Sequence, residues 1–315
     1  MRKLLQETTA YRLLKNEAAQ NRLSHTYLLL FDDEKNLRFA LTELAKLFFD
    51  DSQATAKRIE NGNHPDCLFF PEQGKTLDRD GTAKIIDESS LSPLEGGRKL
   101  FVLDGMHKAS PVVQNKLLKV LEDPPEGVHF LLGATTEFPL LATVKSRAKK
   151  LEIPLFPPEQ VAACLSRIYP DRPASELEKY AYASGGSVGK AQNLLSSGRY
   201  ADLAEKAYAC ISATGGGFVT ATRALASVTE KSEFLSLLSE MYRDMLFYKT
   251  GQGKFAMMKS EQTRLKKAAE GYGAASLVFA LDVVAEAEKE ITFNANLAQC
   301  VEVALFKIEK EKEKC

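Results

Sequence analysis

At 315 residues the chain is too long for one ordinary domain and predicts two or three packed units. Hydrophobic residues make up 44% and charged residues 27%, a globular balance that excludes a disordered or fibrous chain. Basic and acidic residues cancel at 42 each, which excludes a generally cationic nucleic-acid coat but not a local basic patch. No apolar run approaches the roughly 20 residues of a bilayer span. The chain turns polar directly after Met1, so neither a membrane partner nor a secretory leader is expected. Cys67, Cys164, Cys210, Cys300 and Cys315 are scattered without a close pair. That spacing points to free thiols in a reducing, cytoplasmic compartment, with neither a disulfide framework nor a zinc site.

In chain order, residues 26–31, 67–70, 99–104, 128–134 and 150–153 read as strands: short, apolar and bounded by Asp, Gly, Pro or charge. Four of the five are apolar almost throughout, as expected for parallel strands covered on both faces. Between them, residues 36–49 repeat Leu37, Ala40, Leu41, Leu44, Ala45 and Phe48 at helical spacing. Residues 110–121 do the same with Val113, Leu117, Leu118 and Leu121 and stop at Pro124 and Pro125. Alternating strand and helix predicts an α/β domain built on a parallel sheet over residues 1–155. Pro154, Pro157 and Pro158 mark a boundary, and Pro158 opens a small helical unit over 156–200. Residues 201–315 are helical throughout, with breaks at 215–217 and 251–253 and an alternating-charge tail at 309–314.

A parallel sheet binds ligands at the carboxyl ends of its strands. After the first strand the chain reads Phe31-Asp32-Asp33-Glu34-Lys35-Asn36-Leu37-Arg38. It has no glycine to let backbone N–H groups surround a phosphate, and three carboxylates stand where the anion would sit. The third strand ends Leu103-Asp104-Gly105-Met106-His107, with one acid where an ATP-hydrolysing strand of this kind carries two. An Asp ending a strand also caps turns. No nucleophile–base pair and no metal-ligand cluster appears elsewhere.

Four blocks carry a resemblance. They are Asn21-Arg22-Leu23-Ser24-His25-Thr26-Tyr27-Leu28-Leu29, then His64-Pro65-Asp66, then Asn115-Lys116-Leu117-Leu118-Lys119-Val120-Leu121-Glu122-Asp123-Pro124-Pro125, and Thr143-Val144-Lys145-Ser146-Arg147. Over about 22–147 they are colinear with the AAA+ sliding-clamp loaders of bacterial DNA polymerase III, and the chain is most similar to the delta-prime members of that family. Phe293-Asn294-Ala295-Asn296-Leu297 resembles the family's last collar helix.

The resemblance implies a RecA-like AAA+ sheet, a helical lid over 156–200 and a collar over 201–315 that joins neighbours in a hetero-oligomer. It places Leu37 at the phosphate-binding lysine, Arg38 at the Ser/Thr, Gly105 at the catalytic acid and Gly189 at the sensor arginine. Several parts of one nucleotide site are therefore missing together, and no cofactor is expected. Ser146 and Arg147 remain. In the family this pair faces the next subunit, and the arginine reaches the γ-phosphate bound there, a task suited to a permanently charged bidentate fork. From the residues alone, Arg147 also reads as part of a surface basic cluster with Lys145, Lys149 and Lys150. Residues 50–63 lack the cysteines of the zinc module many relatives carry, so His64 reads as a turn residue and His107 as partly buried. The implied partners are the gamma/tau and delta subunits and, through the assembly, the clamp and primed DNA. Two alternatives stay open: an ATP-hydrolysing gamma/tau-type subunit, and an AAA+ adaptor of another replication or repair ATPase.

Overall fold

A computed structural model describes residues 1–95, 97–214, 217–258, 261–293 and 295–312. The glycine break at Gly215 and Gly216, Asn294 of the collar motif, and Glu313, Lys314 and Cys315 of the tail lie outside the described residues. The chain forms two compact units, Met1–Leu155 and Phe156–Cys315.

The first unit is an α/β layer structure around five parallel strands: β1 (Thr26–Phe31), β2 (Cys67–Phe70), β3 (Lys99–Leu103), β4 (Val128–Ala134) and β5 (Lys149–Ile153), in the order β2-β3-β4-β1-β5. Every residue of β1, β3 and β4 is buried, which is why these three run down the middle. The apolar β2 is half-buried from Leu68 to Phe70 because it lies at an edge. At the other edge β5 buries Leu151 and Ile153 and exposes Lys149, Lys150 and Glu152. β3 ends one residue before the expected Asp104, whose N–H still donates to Phe70 O at 2.7 Å.

Among the described residues, seven helices accompany the sheet: α1 (Arg2–Gln6), α2 (Thr9–Ala19), α3 (Glu34–Ala45), α4 (Gln53–Glu60), α5 (Arg79–Ser89), α6 (Pro111–Glu122) and α7 (Ala142–Lys145). The expected 36–49 helix begins two residues earlier, because Asp33 caps it, and ends in a single 3₁₀ turn, Lys46–Phe48. Leu37, Ala40, Leu41 and Leu44 of α3 face the sheet. Leu41 lies so close to Gly133 of β4 that a Cβ there would meet Leu41 Cδ1 at 2.5 Å and the leucine would have to shift. α6 starts with Ser110 as cap and Pro111 in the first turn, where its missing N–H costs little, and buries Val113, Leu117 and Leu121.

The second unit is helical: α8 (Pro158–Ile168), α9 (Ala174–Ala183), α10 (Val188–Ser197), α11 (Tyr200–Ser212), α12 (Gly217–Arg223), α13 (Lys231–Lys249), α14 (Gln262–Ala269), α15 (Ala274–Thr292) and α16 (Leu297–Lys312). α13 packs against α11, α14 and α15. One cluster of buried side chains, including Leu203, Phe234, Leu238, Met241, Leu277, Val284 and Val301, forms its core. A buried polar group interrupts that core. Asp244 accepts from Met257 N at 2.9 Å and Met258 N at 2.6 Å, and Glu240 takes an Arg243 hydrogen bond at 2.9 Å. Burial nevertheless raises the Glu240 carboxyl to about 7, overriding Arg243 and helped by the neighbouring Asp244 charge. Cys67, Cys164, Cys210 and Cys300 are buried thiols. Burial pushes the Cys67 thiol up to about 12, so it is inert. Among the described residues no single helix is long and apolar enough to cross a membrane.

Candidate functional site

Two places in the first unit carry the expected residues. The first is the carboxyl end of the sheet. After β1 the chain turns sharply, with Asp33 N–H donating to Phe31 O at 2.8 Å. The buried Asp33 carboxylate then accepts from Asn36 N at 3.2 Å and from Asn36 Nδ2 at 3.0 and 3.1 Å. A helix N-terminus at this point is the natural seat of a phosphate, but here the chain's own carboxylate occupies the first turn of α3. Leu37, at the expected lysine position, is buried in the core and offers no cation.

Arg38, one residue on, points its guanidinium at Asp104. Nη1 lies 3.5 Å from Asp104 Oδ2 and donates to Pro71 O at 3.1 Å, and the group stacks 4.7 Å from the Phe69 ring centroid. Burial raises the Asp104 carboxyl and Arg38 partly offsets this. Gly105 adopts φ +73°, a left-handed turn that a side-chain-bearing acid would take only under strain. That turn swings the chain into Met106–Lys108 and brings His107 and Lys108 back over Glu34. Thr135 N–H donates to His107 Nδ1 at 3.3 Å, which leaves the imidazole proton on Nε2, 3.2 Å from Glu34 Oε2. The His107 hydrogen bond, seconded by Lys108, lowers the Glu34 carboxyl to about 2 against a smaller opposing effect of burial. His107 is largely buried, as expected. Asp33, Glu34 and Asp104 are each matched to the chain's own cations or N–H groups.

The second place is the corner of α6 and α7. Gln114 is fully buried on α6. Its Nε2 donates to Ala109 O at 2.9 Å and Pro139 O at 3.0 Å, and its Oε1 accepts from Leu141 N at 2.9 Å. This side chain holds the stretch that leads into α7. Ser146 ends α7, with its Oγ donating to Thr143 O at 3.2 Å. Arg147 follows, 28% exposed. Its Nε and Nη2 donate to Glu122 Oε2 at 3.1 and 2.7 Å, and its Nη1 to Thr143 O at 3.1 Å. The basic residues around it are individually balanced: Lys145 lies 4.0 Å from Glu137, Lys149 pairs with Glu17, and Lys150 sits 2.6 Å from Glu137 and 3.3 Å from Glu152.

The structure does not bring Arg147 to the carboxyl-end cluster; the two places use separate partners. Gly189 lies in the first turn of α10, in the second unit, where Ser187 caps Lys190 N at 3.2 Å. In the His64-Pro65-Asp66 block, His64 Nδ1 accepts from Asp66 N at 3.2 Å, a turn role as expected. The fully buried Asp66 accepts from Leu94 N at 2.8 Å and Glu95 N at 2.5 Å, fixing the approach to β3. Glu122, Gln114 and Asp66 were not singled out from sequence as acting side chains. Among the described residues no three His, Cys, Asp or Glu side chains meet in a way that could hold a metal ion.

Residues 6–157 match the family model described as DNA polymerase III, delta subunit. The chain is 32% identical over 161 residues to DNA polymerase III subunit delta' of Bacillus subtilis, covering 48% of each protein. It is 30% identical over 194 residues to DNA polymerase III subunit tau/gamma of Haemophilus influenzae, covering 56% of this chain and 27% of the relative. The matched segment thus spans from about a quarter to about half the length of these relatives. Among solved structures, a DNA polymerase III gamma-subunit-related protein of Thermotoga maritima aligns over 95% of this chain and 99% of its own, with 18% identity and a TM-score of 0.40. Over residues 6–157 the chain thus matches the DNA polymerase III delta-subunit family model, and its relatives at 30–32% identity are subunits of DNA polymerase III.

Proposed function

We propose that the chain is a delta-prime-type clamp-loader subunit that neither binds nor hydrolyses ATP at its own sheet and lends Arg147 to the nucleotide site of a neighbouring subunit. One observation carries the reading. The positions that would hold nucleotide are filled by the chain's own Asp33, Leu37, Arg38 and Gly105, while Arg147, 28% exposed, is anchored at a separate corner. A guanidinium so placed can grip two oxygens of a γ-phosphate and stabilise the charge that builds on it during hydrolysis. An arginine supplied in trans is worth roughly 10³–10⁵ in rate where it has been measured.

In this reading residues 1–155 are a degenerate AAA+ domain, 156–200 a lid and 201–315 a collar, and Ser146 ends the helix that presents the finger. The neighbour would be a gamma/tau subunit, with delta completing the ring and clamp and primed DNA engaged by the assembly. A cyclic heterologous arrangement needs two different faces per subunit, and here one face would give a catalytic group while receiving none. The test is the clamp- and DNA-stimulated ATPase rate of the reconstituted loader with wild-type chain or Arg147→Ala, the lone chain assayed alongside. An inert lone chain and a mutant complex that assembles but loses most of its turnover are expected. A mutant complex with normal turnover would leave Arg147 a surface charge and favour an adaptor role.

A further inference from the structure

We infer that Glu122 is a positioning residue that orients the Arg147 guanidinium and leaves its outer edge open for a pair of anionic oxygens; the inference rests on the trans-arginine reading above. An arginine has five N–H donors in a rigid planar fork. Three are engaged: Nε and one hydrogen of Nη2 on Glu122 Oε2, and one hydrogen of Nη1 on Thr143 O. The remaining two sit one on each terminal nitrogen, and that is the pair a tetrahedral oxyanion takes in a bidentate grip. Glu122 therefore holds the group by its inner edge and does not cover the outer one. The backbone carbonyl of Thr143, from the short helix α7, fixes the third direction.

The placement of Glu122 is itself unusual for stability. It is the last residue of α6, where the helix dipole disfavours a carboxylate and a cation is preferred. Pro124 and Pro125 end the helix just beyond, so the acid is confined to that unfavourable end. It is 60% exposed and buries no apolar surface of note, so packing does not explain it. What it does in the structure is hold Arg147. The contact also joins the two sequence blocks that were most specific: the acid of Leu117-Leu118-Lys119-Val120-Leu121-Glu122 grips the arginine of Ser146-Arg147, 25 residues on.

The experiment compares Glu122→Ala, Glu122→Gln, Arg147→Ala and Glu122→Ala/Arg147→Ala in the reconstituted loader, with assembly checked by size and ATP turnover measured at varied ATP with clamp and primed DNA. A positioning role predicts that Glu122→Ala lowers kcat roughly ten- to a hundred-fold with little change in KM, the scale of loss when a catalytic group is misplaced by about an ångström. Glu122→Gln keeps an oxygen for Nε and Nη2 and should restore most of the rate. The double variant should be no slower than Arg147→Ala alone. If both Glu122 variants raise turnover, the acid restrains the finger and the inference is overturned. If Glu122→Ala leaves kcat unchanged while Arg147→Ala abolishes it, the inference is also overturned and the arginine reading survives. If Arg147→Ala itself is silent, the parent reading has failed and the inference falls with it.

Discussion

The carboxyl end of the sheet and the α6–α7 corner belong to one unit and each carries an arginine beside an acid, but they use the pair differently. Arg38 and Arg147 are equally exposed, at 29% and 28%, so accessibility does not distinguish them. Their surroundings do. Arg38 puts Nη1 between Asp104 and the Pro71 carbonyl and lays its guanidinium on the face of Phe69. Arg147 is held by Glu122 through Nε and Nη2 and by the Thr143 carbonyl through Nη1. A charge spent within the chain stabilises that chain. Arg147 is instead oriented along its Nε edge by one carboxylate, the arrangement that the proposed trans role needs.

The largest stability effect that would break this comparison is at Gln114. Gln114→Ala orphans the Ala109 and Pro139 carbonyls and the Leu141 N–H, at roughly 1 kcal/mol or more for each buried group, so a loss of about 3 kcal/mol is expected in denaturant unfolding of the full chain. A loss too small to measure would mean that α6 does not hold the approach to α7. Next, the two units should respond to pH with opposite signs. Glu34, lowered to about 2, stabilises the first unit above its ordinary value of 4.5, and that contribution disappears as pH falls from there toward 2. Glu240, raised to about 7, favours the folded second unit while protonated. Its contribution is complete below 4.5 and is lost as pH rises through 7. Hydrogen exchange resolved by unit should show Glu34→Gln flattening only the acid limb of the first and Glu240→Gln only the neutral limb of the second.

A smaller effect is expected at Arg38. Arg38→Ala leaves Asp104 without its cation and should cost roughly 1 kcal/mol, with no change in the turnover of the assembled loader. Smallest of all is the effect of Arg147→Ala on stability. It leaves Glu122 alone at the end of α6, worth about 0.3–1 kcal/mol in the same unfolding measurement. A variant that is nearly neutral for folding and severe for turnover would sharpen the contrast between the two corners.

The sheet was legible because its central strands are continuous apolar runs, and β1, β2 and β4 begin and end where the pattern changes. Strand order was not, since spacing along the chain does not encode which runs lie side by side. α4 and α5 were not read from the sequence: α4 buries only Ile59, and α5 buries Thr82, Ile85 and Ser89 in an otherwise polar stretch, too little for a clear apolar stripe. In the candidate site, the sequence shows that the segment after β1 lacks glycines and carries a surplus of acids. It does not show the pairs formed there, because Arg38–Asp104 and Glu34–His107 join residues far apart in sequence. Arg147 is singled out through its block. Glu122 stood in another block, and only the packing of α7 beside α6 shows that the two meet. Spacing also does not reveal that Lys145, Lys149 and Lys150 meet Glu17 and Glu137, acids from elsewhere in the chain.

The most direct measurement sets the two arginines against each other in one assembled loader: ATP turnover with clamp and primed DNA, for Arg38→Ala and for Arg147→Ala, each at equal complex concentration. With Arg147 serving a neighbour and Arg38 serving its own chain, Arg38→Ala should hydrolyse ATP at the wild-type rate and Arg147→Ala should lose roughly a thousand-fold at the site it faces. The opposite pattern, turnover lost with Arg38→Ala and kept with Arg147→Ala, would place a working nucleotide site at this chain's own sheet and contradict the proposed division of roles.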